Sequence, residues 1–171
     1  IYTEGLRERF CELVNCSYVI TPNLTEALLL LHGKEGMEKK WREFQSINGE
    51  ERLVRIQETG RSLAEKFSLS AVVITGVDHK EEGEPLRMGN LVLEKGKSSW
   101  IFAEKSGGSY SGTGDLFASV LSAGLVKGYP MEKCAQIAVD FISASIQDAV
   151  KEGTDRNDGV CFELHLHKLI G

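Results

Sequence analysis

Two short runs of β-branched residues constrain this chain more than anything else in it. Ser17-Tyr18-Val19-Ile20-Thr21 leads through Pro22-Asn23 into the apolar Leu28 to Leu31. Ser70-Ala71-Val72-Val73-Ile74-Thr75 ends on Gly76. An unbroken apolar run bounded by turn residues suits a strand buried on both faces, as in a parallel sheet covered by helices. Each run closes on a small hydroxyl residue. In an open α/β sheet, ligands bind beyond the carboxyl ends of the strands.

Helical periodicity fills the space around these runs. Residues 3 to 15 predict a helix whose face holds Leu6, Phe10, Leu13 and Val14. Pro22 suits a first helical turn, and Thr21 or Asn23 can cap the helix that follows. The polar, glycine-punctuated residues 33 to 49 leave room for a short helix from Met37 to Phe44. Residues 50 to 67 predict a clear amphipathic helix with Leu53, Ile56, Leu63, Ala64 and Phe67 inward, and Gly60 at a close approach. Asp78 to Gly89 predicts a charged loop. Asn90 to Glu94 and Ser98 to Phe102 then predict a hairpin around a three-residue turn, Lys95-Gly96-Lys97. Helices follow over 115 to 127 and 131 to 150. Val160, Phe162, Leu164 and Leu166 alternate like a strand, and residues 164 to 170 also admit a last helical turn. The pattern is that of a layered α/β domain.

The stretch Ser109-Tyr110-Ser111-Gly112-Thr113-Gly114-Asp115 opens the first of those late helices. Gly112 and Gly114 permit backbone angles that a side chain forbids, and they leave the amides uncovered at a helix start. A helix start carries unpaired donors and partial positive charge, so such a turn can hold a phosphate. Asp115 is the first acidic group at its mouth. The same residues also serve as an ordinary turn with an acidic cap. The turn lacks the lysine of the G-x-x-x-x-G-K-[S/T] loop, and it is not the G-x-G-x-x-G of dinucleotide-binding folds.

Composition narrows the partners. The net charge is −5, and no long run of Lys or Arg provides a nucleic-acid surface. No apolar stretch approaches a membrane span. Cys11, Cys16, Cys134 and Cys161 form no C-x-x-C pair and read as reduced thiols, which suits the cytoplasm. His165 and His167 read as exposed residues of an amphipathic tail rather than metal ligands. The first residue is Ile1, and two parallel strands with one hairpin are few for five helices. The expectation is that several strands precede residue 1, so that residues 1–171 form the C-terminal portion of a single domain.

Three pieces, in this order and spacing, resemble the ribokinase-like superfamily of small-molecule kinases. They are Thr21-Pro22-Asn23-Leu24-Thr25-Glu26, Val72-Val73-Ile74-Thr75-Gly76 and Ser111-Gly112-Thr113-Gly114-Asp115. The wording is most similar to the pyridoxal (vitamin B6) kinases. Sugar kinases typically carry Gly-Ala-Gly-Asp, and hydroxymethylpyrimidine kinases typically carry Cys where Asp115 stands. The resemblance implies a three-layer α/β/α fold with a mostly parallel central sheet, its N-terminal part lying outside this sequence.

It also implies ATP-dependent phosphorylation of the 5′-hydroxymethyl group of pyridoxal, pyridoxine or pyridoxamine. On that reading the Gly112, Thr113 and Gly114 backbone holds the transferring phosphate, and Asp115 takes the proton of the attacking alcohol. Glu26 places Mg²⁺, supported by Asn23, while Thr21, Thr75 and Gly76 line the nucleotide phosphates. ATP and Mg²⁺ are the implied cofactors, with K⁺ or another monovalent cation admitted beside them, and a cytoplasmic homodimer is the implied assembly. The alternatives are a hydroxymethylpyrimidine or sugar kinase of the same superfamily, and a nucleotide-binding fragment without catalysis.

Overall fold

A computed structural model of the chain describes residues 4–169. They divide into two compact units. One runs to His79 and adds Gly89–Trp100, and the other holds Lys80–Met88 with the residues from Ile101 on.

In the first unit the order is α1 (Glu4–Asn15), β1 (Val19–Ile20), α2 (Leu24–Gln45), α3 (Gly49–Phe67) and β2 (Ala71–His79). Strands β3 (Arg87–Glu94) and β4 (Lys97–Glu104) each give residues to both units. The sheet order is β1-β2-β3-β4. β1 lies parallel to β2, with Val19 opposite Ala71 and Ile20 opposite Val72. Ala27, Leu28, Ile56, Leu63, Val72, Ile74 and Leu91 are buried together in one core. Gly60 of α3 makes the close approach that its position in the pattern suggests. A Cβ there would stand 2.2 Å from Leu93 Cδ1 and 3.5 Å from Ile74 Cδ1.

Several boundaries differ from the sequence expectation, each for a physical reason. β2 does not stop at Thr75 but continues to His79. Val77 and His79 point inward while Gly76 and Asp78 face out, which is the alternation of a half-covered strand. The loop expected over 78 to 89 is shorter accordingly. The β3–β4 turn has two residues, Lys95 (φ 49°) and Gly96 (φ 78°). Positive φ at both positions matches the twist of a tight hairpin. The short helix expected from Met37 to Phe44 is the later part of α2, which does not end before it. α2 continues to Gln45 across a break at Gly33 (φ 68°, ψ −176°). Such a break frees carbonyls of the preceding turn, and Lys66 Nζ of α3 donates to Leu30 O at 3.0 Å and Leu31 O at 2.9 Å. On α1 only Val14 of the predicted apolar face is buried, while Leu6, Phe10 and Leu13 are exposed.

In the second unit, α4 (Thr113–Val126) packs on α5 (Met131–Glu152). Small residues allow this: a Cβ on Gly124 would meet Cys134 Sγ at 2.7 Å. Of the two readings of the tail, the strand fails and the helical one holds, as a 3-10 helix, Phe162–Leu169; Ile170, at the end of the predicted last turn, lies outside the described residues. Tyr110, Ile146, Ala149 and Val160 form a small core there, with Leu116, Ile142 and Phe162 against it.

Candidate active site

The first group of predicted residues gathers where β1 and β2 run out toward α2. Asn23, rather than Thr21, is the cap of α2. Its side-chain Oδ1 accepts from the Glu26 amide at 2.9 Å, and Glu26 Oε2 accepts from the Asn23 amide at 3.0 Å. This reciprocal box satisfies two orphan donors of the helix start. It ties up one oxygen of the Glu26 carboxylate. Asn23 also bridges to Thr75 in parallel fashion, and the Thr75 amide donates to Pro22 O at 2.9 Å. Asn23, Glu26 and Thr75 are thus brought together, with half-buried Thr21 just upstream.

Gly76 follows with φ +69°, and its amide donates to Asn90 Oδ1 at 3.3 Å. Asn90 is buried on β3 at 5% exposure, and sequence reasoning missed it. The available signal was a lone amide directly before the apolar Leu91-Val92-Leu93. A buried polar side chain needs a partner, and here the partner is the backbone of the second predicted phosphate segment.

The second group lies in the second unit. Gly112 caps α4 in the left-handed region (φ 79°), with no side-chain cap. Thr113 Oγ1 donates back to Tyr110 O at 3.1 Å, and Leu116 N closes the first helical bond on Gly112 O at 3.0 Å. Among the described residues, nothing accepts from the amides of Gly112, Thr113 and Gly114. A Cβ on Gly112 or Gly114 would meet no atom within 4 Å, so open space lies in front of the turn. Asp115 sits in the first turn of α4 and is exposed. Uncommitted donors, helix dipole and open space make this turn a place for an anion with a carboxylate beside it.

Several other residues with possible chemistry lie outside these two groups. His165 is not exposed: its side chain is 13% accessible, and Nε2 meets Asp148 Oδ2 at 2.9 Å. Among the described residues no three His, Cys, Asp or Glu side chains group as a metal cage, and no helix is long and apolar enough to cross a membrane. None of the four cysteines, all among the described residues, forms a disulfide. The Cys161 thiol stands above its ordinary value. The Thr154 hydroxyl at 3.7 Å favours the thiolate, but the bond to Glu152 at 3.3 Å, burial and the charges of Glu152 and Glu163 outweigh it. In the first unit a cleft of about 560 Å³ runs between α2 and α3, walled by Leu31, Phe44 and Ile47 and rimmed by His32, Lys40 and Arg55. None of the predicted site residues lines it. Burial, then the Lys40 and Lys66 charges, hold His32 below its ordinary value against the pull of Glu43.

The sequence profile of the phosphomethylpyrimidine kinase family matches residues 2–159. No curated protein matches the sequence. Among solved structures, one is a provisionally named phosphomethylpyrimidine kinase from Bacteroides thetaiotaomicron VPI-5482, in a crystal form with pyridoxal. It is 24% identical with a TM-score of 0.80, the match covering 99% of this chain and 55% of that one. The pyridoxal kinase of Lactobacillus plantarum is 22% identical with a TM-score of 0.76, covering 99% and 55%. The pyridoxal kinase of Staphylococcus aureus in complex with ADP is 21% identical with a TM-score of 0.64, covering 85% and 47%. The chain spans about half the length of the structures it matches.

Proposed function

The chain belongs to the phosphomethylpyrimidine kinase family, and from that premise we propose that the whole protein is an ATP-dependent kinase acting on the 5′-hydroxymethyl group of pyridoxal, pyridoxine or pyridoxamine. The observation that carries this reading is the α4 turn, with three uncommitted amides and an exposed aspartate one residue further on. The solved structures similar to this chain include pyridoxal kinases and a form crystallised with pyridoxal.

Phosphoryl transfer asks the protein mainly for positioning and charge neutralisation. The acceptor alcohol oxygen forms a bond to the γ-phosphorus as the bond to the bridging oxygen breaks, and ADP leaves with that electron pair. The amides of Gly112, Thr113 and Gly114 hold the equatorial oxygens of the moving group. Asp115 orients the hydroxyl and takes its proton late, since a carboxylate is a weak base for an alcohol. Thr21 and Thr75 line the nucleotide phosphates. Gly76 joins them by leaving backbone uncovered rather than by its amide, which Asn90 holds.

Glu26 suits Mg²⁺ as a single carboxylate. One oxygen is held by Asn23, and the other remains for the ion or for its water. Mg²⁺ commonly takes one or two carboxylates and completes its shell with phosphates and water, so a three-residue cage is not required. When bound, it neutralises phosphate charge. A cytoplasmic homodimer, with K⁺ or another monovalent cation as an added ligand, goes with the same reading.

The family's own description favours one second reading, a kinase of hydroxymethylpyrimidine or its phosphate. Asp115 in place of cysteine argues for the first. A coupled ADP-release assay on the full-length protein separates them. Turnover is expected with pyridoxal, weaker or absent with hydroxymethylpyrimidine and ribose, and lost in excess chelator. Faster turnover with hydroxymethylpyrimidine selects the second reading, and full activity in chelator removes Glu26 and Mg²⁺ from the scheme.

A further inference from the structure

The loop over residues 154–159, between α5 and the 3-10 helix, is fastened to the segment that enters α4. Within it, Asp155 Oδ1 accepts from the Asn157 amide at 2.8 Å and Asp155 O from the Asp158 amide at 3.0 Å. Arg156 O accepts from the Ser111 amide at 2.9 Å, one residue before Gly112. Gly159 (φ +91°) lies against Ser111 O, where a Cβ would stand at 3.5 Å. Val160 shares the small core with Tyr110. The Arg156 side chain folds over Gly108. A Cβ on Gly108 would come within 2.4 Å of the guanidinium carbon and 2.6 and 2.7 Å of its two terminal nitrogens. Only a glycine leaves this seat. Among the described residues nothing pairs with or hydrogen-bonds that guanidinium, although Asp155 and Asp158 flank it in sequence.

We propose that Arg156 is a phosphate-binding residue of the α4 turn, supplying the full positive charge that the turn itself lacks. The inference rests on the kinase reading for the identity of its anion, a polyphosphate. Residues 106–115 contain no lysine or arginine. Helix-start amides offer only about half a unit of charge, far less than a triphosphate carries. A guanidinium is planar, stays charged, and matches phosphate oxygens two at a time. Its backbone is anchored to Ser111, one residue before Gly112, which puts the base of this long side chain beside the turn. The glycine seat keeps the cation loaded without a carboxylate to neutralise it.

The test is calorimetric binding of inorganic tripolyphosphate to the full-length protein, with Arg156→Gln, Arg156→Lys and Gly108→Ala beside wild type. Arg156→Gln should weaken binding by about tenfold, the scale of one charge-assisted contact. Arg156→Lys should recover part of that loss. Gly108→Ala, which pushes the guanidinium off its seat without removing it, should bind at least as tightly as wild type. Melting points should stay within about 2 °C of wild type, since an exposed side chain is being changed. Equal affinity in wild type and Arg156→Gln overturns the proposal, as does a wild type that binds no tripolyphosphate. A fall in affinity that tracks a fall in melting point, without rescue by lysine, assigns Arg156 to structure and also overturns it. If tripolyphosphate binding behaves as expected while no acceptor yields ADP, the kinase reading fails and the anion site stands.

Discussion

At the scale of single residues, Asp115 bears the most specific expectation. In the full-length protein, Asp115→Asn should lower kcat by roughly 10²-fold or more, with nucleotide affinity little changed, because the amide keeps the shape and loses the base. Steady-state kinetics with ATP and pyridoxal check this, and activity within a few-fold of wild type would remove Asp115 from the role. The residues around it divide by how far their partners lie in sequence. Gly112, Gly114 and Asp115 were legible because a bare turn before an apolar helix is a local pattern. Asn23 was legible as one of two caps, and Glu26 three residues later makes the box that decides between them. Asn90 and Arg156 were not legible. Their partners, Gly76 and Gly108, are far away along the chain, and no local periodicity announces such a contact.

At the scale of elements, α2 shows how tertiary packing overrides punctuation. Gly33 and Gly36 punctuate the stretch before the helix expected from Met37, and Gly33 does break the helix. The break is tolerated because Lys66 brings an ammonium to two of the carbonyls at that point, Leu30 O and Leu31 O. Lys66→Met should therefore lower stability by about 1 kcal/mol, the worth of an exposed charge-assisted bond pair, with Lys66→Arg recovering part of it. Urea denaturation measures the difference, and unchanged midpoints would show that water serves those carbonyls equally well. The same logic explains the longer β2. The step from Thr75 to Gly76 reads as a strand end, yet Asn90 holds Gly76 from β3 and lets the alternation resume at Val77. The tail goes the other way. An alternating pattern there becomes a 3-10 helix, and His165 closes on Asp148 of α5.

At the scale of the molecule, Asp148, the partner in that last contact, makes one contribution to stability sensitive to acid. The Lys151 hydrogen bond at 2.9 Å, then the His165 bond, hold the Asp148 carboxyl below its ordinary range. A carboxyl with a lowered folded-state value stabilises the fold above its unfolded value, near pH 4, and loses that contribution as pH falls through the folded value. The melting-point gap between wild type and Asp148→Asn should be full at about pH 5 and shrink steadily below about pH 4. A gap undiminished at about pH 2.5 would mean that the carboxylate's ionisation is not its source. The α/β class and the element order were open to reading because apolar periodicity is a strong signal over a dozen residues. The division into two compact units was not, since β3 and β4 contribute to both and nothing in their composition changes at the boundary.

The Asn23–Glu26 box has a consequence for how this chain tolerates change. The carboxylate proposed for the ion also stitches the first turn of α2, so selection acting on catalysis and selection acting on folding converge on one side chain. A library of all substitutions at position 26 should therefore contain no silent member: glutamine preserves the stitch and forfeits the charge, aspartate preserves the charge and falls short of the stitch.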